Sequence, residues 1–245
     1  MNDLDFLREH FKGDEKALKD AIERYENGTP AAYIMGHRFF YRNDFFVKEG
    51  VLIPRPDTEF VVENAVSILK KRNEPVIFAD LCCGSGCIGI TVLDEIKTAF
   101  GYLFDITDVP LEVSAKNAEN IGVLERCRVL YGDIFNKDLL KNSVQGKLDM
   151  IISNPPYIPT EDIKKYPDLA AEPALALDGG ADGMDFYRAI IDNFADDLKI
   201  DGLFVFEIGF DQGELIKELA KEKGFDIILK KDYGQNDRLA ILKKL

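Results

Sequence analysis

The stretch Val76-Ile-Phe-Ala-Asp-Leu-Cys-Cys-Gly-Ser-Gly-Cys-Ile-Gly89 decides the fold. A short apolar run (76–81) ends beside an acid, breaks into a glycine-rich turn and opens onto a helix-forming segment (87–96). Glycines serve where the backbone turns tightly and where a ligand must approach it without a Cβ in the way. The next apolar run, 99–104, leads to Asp105, about twenty residues past the turn, where a carboxylate can accept hydrogen bonds from ribose hydroxyls. Strand, turn, helix and downstream acid together predict a nucleoside ligand at the carboxyl edge of a parallel sheet.

Outward from this unit the pattern repeats. Short apolar runs at 76–81, 99–104, 128–131, 148–153, 203–208, 225–229 and 239–242 alternate with helical periodicity at 59–71, 87–96, 110–121, 185–198 and 212–223. This predicts an α/β fold, a doubly wound, seven-stranded, mostly parallel sheet, over residues 51–245. Residues 1–50 read instead as a short helical lobe plus a β-hairpin for substrate docking. Ala17, Leu18, Ala21, Ile22 and Tyr25 recur at helical spacing behind Asp14 until Asn27-Gly28. Thr29-Pro30 predicts a second helix with Thr29 as its cap and Pro30 at its first position. Phe39-Phe-Tyr41 and Phe45-Phe-Val47 flank Arg42-Asn-Asp44 as a hairpin. The irregular segment 158–184 is too long for a plain connection, which marks it as functional.

Composition narrows the class. The 245 residues carry 31 Lys+Arg against 44 Asp+Glu, a net charge of −13, and 46% of them are hydrophobic. Such a chain can build a sizeable core and lacks the basic footprint of a protein that holds nucleic acid by its phosphates, so no direct nucleic-acid binding is expected. Residues 1–16 are charged throughout, with no apolar secretory core, and no run approaches the ~18 apolar residues of a membrane span. Cys82, Cys83 and Cys87 crowd one turn while Cys127 stands apart. Adjacent cysteines pair poorly, so all four read as reduced thiols in a cytoplasmic protein. With no Cys-x-x-Cys pair, and His10 and His37 far off in sequence, no metal is expected.

A second motif follows the run at 148–153: Asn154-Pro155-Pro156-Tyr157. Two prolines fix φ and remove two donors, leaving a stiff loop whose free backbone groups are carbonyl acceptors. Asn154 adds a side-chain acceptor and Tyr157 a ring face. Such a loop can accept both hydrogens of an NH2 group while the nitrogen lone pair points at an electrophile. Gly84, Gly86 and Gly89 also spell a literal Gly-x-Gly-x-x-Gly, so an NAD-dependent dehydrogenase competes. Asp80 beside the turn suits a cationic ligand better than a pyrophosphate, and no Tyr-x-x-x-Lys or nearby histidine is available for hydride-linked proton transfer.

Asp80-Leu-Cys-Cys-Gly-Ser-Gly86, Asp105 and Asn154-Pro-Pro-Tyr157 together resemble the class I S-adenosylmethionine-dependent methyltransferases that act on a planar NH2 group. More narrowly, the chain resembles the HemK/PrmC family of protein-(glutamine-N5) methyltransferases. The resemblance includes Pro30-Ala-Ala-Tyr-Ile-Met-Gly36, Leu52-Ile-Pro-Arg-Pro-Asp-Thr-Glu59, Gly132-Asp-Ile-Phe135, Glu172-Pro-Ala-Leu-Ala-Leu177, Gly180-Ala-Asp-Gly183 and Asp232-Tyr-Gly-Gln-Asn-Asp-Arg238. It implies methyl transfer from S-adenosyl-L-methionine, with S-adenosyl-L-homocysteine as product. The acceptor implied is the glutamine side-chain nitrogen in the Gly-Gly-Gln loop of peptide chain release factors. Asn154, Pro155 and Tyr157 are then the catalytic residues, and Pro156 joins them in binding substrate. Cofactor contacts fall to Cys82, Cys83, Gly84, Ser85, Gly86, Asp105, Asp133, Ile134 and Asn154. An amide methylated in this way sheds its proton to water, so no general base is required.

Cys82 stands where the family has its first glycine, and its Cβ is tolerable if the backbone there is extended. The family carries a longer helical bundle ahead of Pro30 than the roughly thirty residues here. The Cys-Cys-Gly-Ser-Gly-Cys-Ile wording is also similar to sister enzymes that methylate a glutamine of a large-subunit ribosomal protein, the principal alternative. An adenine-N6 nucleic-acid methyltransferase fits the −13 charge less well. Asp133 could instead cap a helix, and Arg55, Glu59 and Arg238 carry no derived role. Docking of a protein substrate is expected on the hairpin around 38–47 and on segment 158–184, whose Glu161, Asp162, Asp168, Glu172, Asp178, Asp182 and Asp185 would steer a basic partner.

Overall fold

The computed structural model describes residues 2–72, 75–165, 169 and 171–245. Helix α1 (Asp3–His10) was not anticipated; its sequence signal is a capping box in which the Asn2 side chain accepts the Asp5 N–H and Asp5 returns the bond. Helix α2 (Glu15–Glu26) starts as expected at Asp14, whose carboxylate accepts the Ala17 N–H. Helix α3 (Ala31–Met35) begins one residue later than predicted. Pro30, with ψ 138°, is itself the cap, and its carbonyl takes the Tyr33 and Ile34 N–H groups. Strands β1 (His37–Phe40) and β2 (Asn43–Phe46) form the antiparallel hairpin. Its turn is tighter than expected: Asn43 and Asp44 belong to β2, and Tyr41 takes up the reversal at φ 57°.

Helix α4 (Pro56–Leu69) leads into the alternating unit: β3 (Ile77–Leu81), α5 (Cys87–Glu95), β4 (Phe100–Asp105), α6 (Asp108–Asn120), β5 (Cys127–Tyr131), α7 (Leu139–Ser143) and β6 (Leu148–Ser153). It continues with α8 (Asp185–Phe194), β7 (Leu198–Glu207), α9 (Gly213–Glu222), β8 (Phe225–Lys231) and β9 (Asp237–Lys244). The seven strands of the large sheet lie in the order β5-β4-β3-β6-β7-β9-β8, all parallel except β9, which runs against both neighbours. The helix expected over 185–198 stops at Phe194 because Leu198 is drawn into the sheet opposite Leu148, so β7 starts five residues before the expected 203.

The sheet buries both faces. Phe78, Leu103, Met150 and Val205 point to one side, against Val62 and Val66 of α4 and Ile90 of α5. Ala79, Leu81, Phe104, Ile151 and Phe204 point to the other, against Tyr187 and Ile191 of α8 and Ile216 of α9. Each fully buried large apolar side chain contributes about 1.5–3 kcal/mol. Phe40 and Phe45 of the hairpin pack into the first of these cores, so hydrophobic contact runs across the expected boundary at residue 50. The chain leaves β3 toward β4 and β5 on one side, then returns to lay β6 and β7 on the other. That reversal opens a crevice at the carboxyl ends of β3 and β6, the place where such sheets take ligands.

Candidate active site

Both sequence motifs end at that crevice. The glycine turn follows β3 and the Asn154 loop follows β6, and the two strand ends are joined where the Ser153 hydroxyl donates to the Leu81 carbonyl at 2.6 Å. Between them lies a cavity of about 580 Å³, within the usual range for a small-molecule site. Cys82, Cys83, Gly84, Ser85, Asp105, Asp133, Ile134, Asn154 and Pro156 all line it.

The turn is shaped from several directions. Cys82 is not extended; its φ is +59°, a left-handed conformation that a side chain adopts only under strain. This explains why a glycine would be at ease there. Gly86, at φ +76°, caps α5, and a Cβ on it would meet Ile90 Cδ1 at 2.6 Å. Gly86 therefore shapes the turn from behind without reaching the wall. Helix α6 holds the turn's carbonyls: Ser114 donates to Gly84 O at 2.8 Å, and Asn117 donates to Ser85 O at 2.9 Å while bonding both backbone groups of Phe46. Neither motif points to these two side chains; their sequence signal is two polar residues three apart on an otherwise apolar helix face.

Asp105 is anchored within the site. Its Oδ2 accepts the Gly84 N–H at 3.0 Å, and its Oδ1 accepts from the Thr107 backbone and hydroxyl at 3.3 and 3.2 Å. Burial raises its pKa, opposed by these bonds. Asp133 is no helix cap: its Oδ1 accepts the Phe135 N–H across a turn at 2.9 Å. Asp80 lies elsewhere than expected. Its carboxylate sits beneath the turn, Oδ2 taking the Gly89 N–H at 2.8 Å and Oδ1 buried without a partner, and burial pushes its pKa up to about 7. The cationic-ligand argument passes instead to Asp105, Asp108 and Asp133, which line the cavity, whereas the wall's Arg55 is already paired with Glu172. Burial also raises the thiols of Cys82 and Cys83, and that of Cys87 to about 12, so these cysteines remain protonated.

On the opposite wall the Asn154 Nδ2 donates to the Thr58 hydroxyl at 3.4 Å, which leaves Oδ1 as its free acceptor. Pro155 is buried and Tyr157 half-buried, and neither lines the cavity. The Tyr157 ring packs against the α8–α9 core with its hydroxyl turned toward Glu207. Gln212 fastens the loop by donating to Tyr157 O at 2.9 Å and Gly183 O at 3.1 Å. A Cβ on Gly183 would stand 2.3 Å from Tyr157 O, so a glycine is required at this approach.

Roles also emerge for the three motif residues left without one. Arg55 pairs with Glu172, whose other oxygen accepts the Ile53 N–H at 3.0 Å, tying segment 158–184 to the stretch before α4. Glu59 accepts the Tyr41 N–H at 2.9 Å, bracing the hairpin turn. Arg238 is buried between Asp232 and Asp57, each at 3.2 Å. Pro173, Leu175 and Ala176 complete the cavity roof, and stretch 50–55, not the hairpin strands, supplies the N-terminal wall. Much of the expected acidic surface is internally compensated. Glu172 is buried in its ion pair, Asp182 and Asp185 face Arg188, and Asp162 faces Lys165. Asp168 lies outside the described residues. Among the described residues, no cluster of three or more His, Cys, Asp or Glu could hold a metal, and no helix is long and apolar enough to cross a membrane.

Residues 59–170 match the family model of the methyltransferase small domain. The chain is 36% identical over 244 residues to a release factor glutamine methyltransferase of Clostridium botulinum (strain Hall), covering 96% of this chain and 83% of that one. A protein of the same name from Moorella thermoacetica is 41% identical over 206 residues, 83% of this chain and 70% of the other. Among solved structures, the ribosomal protein L11 methylase of Lactobacillus delbrueckii subsp. bulgaricus shares the fold, with a TM-score of 0.54 at 22% identity over 81% of this chain and 84% of that one. Identity above one third across nearly the whole length, on a sheet whose switch point carries both motifs, shows that the chain belongs to the release factor glutamine methyltransferase family.

Proposed function

We propose that this protein transfers a methyl group from S-adenosylmethionine to the side-chain amide nitrogen of the glutamine in the Gly-Gly-Gln loop of a peptide chain release factor. One observation carries the reading: Asn154, with its Oδ1 uncommitted, faces the same cavity as Asp105 and the glycine turn.

The residues present suit the cofactor. Gly84 lines this wall without a Cβ, so a ligand can approach its backbone closely. Asp105 would take the ribose hydroxyls, Asp133 and Ile134 would meet the adenine, and residues 82–85 would flank the remainder. The carboxylates lining the cavity favour a cation. S-adenosylmethionine supplies an electrophilic methyl group on a positively charged sulfur.

An amide nitrogen is a poor nucleophile, so the chain's task is alignment. Asn154 Oδ1 would accept one amide hydrogen at the cavity wall, and the Pro155 carbonyl would accept the other where the substrate amide reaches past that wall into the loop. As positive charge develops on the nitrogen, these fixed dipoles stabilise it without reorganising. Pro155 and Pro156 stiffen the loop, and Tyr157 supports it from the core side rather than stacking on the amide. No histidine lines the cavity, in keeping with proton loss to water.

Exposed Ile106, Phe135 and Leu175 rim the opening and offer apolar contact to the substrate loop. Four free cysteines support a cytoplasmic setting. Mass spectrometry tests the reading: after incubation with enzyme and S-adenosylmethionine, a release factor should gain one methyl group on that glutamine. Methylation of a large-subunit ribosomal protein, with the release factor untouched, would replace it by the alternative substrate.

A further inference from the structure

Glu207 ends β7 beside the catalytic loop, since β6 and β7 pair up to Ser153 and Phe206. It is 2% exposed, does not line the cavity and has no ion-pair partner among the described residues. Its Oε2 is buried without a hydrogen-bond partner, while the Thr58 and Tyr157 hydroxyls lie close enough to favour its ionised form. A carboxylate left this way among apolar strands is costly to keep, and neither motif explains it.

The hydroxyl of Thr58 connects it to the site. Thr58 has one proton to give, and it already accepts from Asn154 Nδ2. An ionised Glu207 can only accept, so it draws the Thr58 proton and obliges Thr58 to accept from Asn154. The chain then runs Asn154 NH2 to Thr58 to Glu207, with Asn154 Oδ1 toward the cavity. A protonated Glu207 can instead donate to Thr58, and Thr58 can then donate to Asn154 Oδ1. The Asn154 amide would turn over and present its NH2 to the substrate NH2, donor against donor.

We propose that Glu207 is a positioning residue for the transfer, setting through Thr58 which end of the Asn154 amide faces the cavity; this rests on the glutamine-methylation reading above. The other groups around it do not replace it. Arg238 of β9 is committed to Asp57 and Asp232, and Tyr187 of α8 donates to the Glu207 backbone carbonyl at 2.8 Å. Cys87 of α5 and Tyr157 are neutral neighbours whose own ionisation is raised by burial. Burial also pushes Glu207 up to about 7, against the Thr58 and Tyr157 hydroxyls and Arg238 that favour its charge, so both states fall in the working pH range.

The test is steady-state methylation of a release factor by the full chain from about pH 5.5 to about pH 9. The wild-type kcat should fall below about pH 7, approaching tenfold per pH unit, with S-adenosylmethionine affinity unchanged by calorimetry. Glu207→Gln should lose this acid limb. Thr58→Val should lose it too and lower kcat at pH 8 by about tenfold, the effect of one neutral hydrogen bond, and Thr58→Ser should restore both. A Glu207→Gln enzyme keeping the wild-type acid limb would overturn the proposal. Should that variant fail to fold, a Thr58→Val enzyme with wild-type kcat and acid limb would overturn it equally. Absence of methyl transfer by the wild type at every pH would instead remove the glutamine-methylation reading, and this proposal with it.

Discussion

Asp105→Ala separates ligand binding from folding. In the folded chain Oδ2 accepts one bond from Gly84 N–H and Oδ1 accepts two from Thr107, so one lone pair, on Oδ2, remains for a ribose hydroxyl. Losing a hydrogen bond to a charged group costs about 1.5–3 kcal/mol. At 1.4 kcal/mol per decade, the dissociation constant for S-adenosylmethionine should rise about 10- to 150-fold. The same truncation leaves the Gly84 N–H without its acceptor, a separate stability cost of about 1–3 kcal/mol. Isothermal titration with S-adenosylmethionine measures the first effect and calorimetric unfolding without ligand measures the second. Affinity within about threefold of wild type, alongside a lowered melting temperature, would show that Asp105 only braces the turn and would refute its ribose role.

Asn154→Ala should leave cofactor affinity nearly intact and cut single-turnover methylation by about 10² to 10³, the scale for one preorganised transition-state hydrogen bond; a wild-type rate would reduce the loop to a structural turn. Asp149→Ala should cost about 1–3 kcal/mol in urea unfolding, because the buried carboxylate holds Arg72 at 2.9 Å, Lys199 at 3.0 Å and the Ile77 N–H at 2.8 Å, and its loss leaves the Ile77 N–H and Lys199 without this acceptor while Arg72 keeps Asp201; a loss below about 0.5 kcal/mol would contradict this account. Asp80, raised from 3.8 to about 7, keeps a proton in the folded state that the unfolded chain releases, so its contribution is most favourable at low pH and is lost as pH rises from about 4 to about 7. Asp80→Asn should therefore flatten stability across that window by up to about 1.4 kcal/mol per pH unit, and parallel wild-type and variant curves would show that the folded carboxyl titrates normally.

Local chemistry was legible in the residues themselves. Alternating apolar runs announce a buried parallel sheet because both of its faces are covered. The glycine turn, Asp105 and the double proline are written in consecutive or regularly spaced residues because each exploits local backbone geometry. Tertiary structure decided whatever depends on groups distant in sequence. Arg55 and Glu172 stand 117 positions apart, and only the folding of segment 158–184 over the crevice pairs them. Asp80 and Asp105 look alike as acids ending strands. Yet one is aimed beneath the turn at Gly89 and the other lies along the cavity, a difference of side-chain direction that no spacing encodes. Cys82 reads as an ordinary substitution until its φ of +59° shows the backbone a glycine would serve. Glu207 has the appearance of a solvated acid after an apolar strand. It becomes a buried, half-satisfied carboxylate behind Asn154 because β7 lies beside β6 and α4 packs against β7. Long-range burial makes a polar group consequential, and long-range burial is what a one-dimensional pattern cannot express.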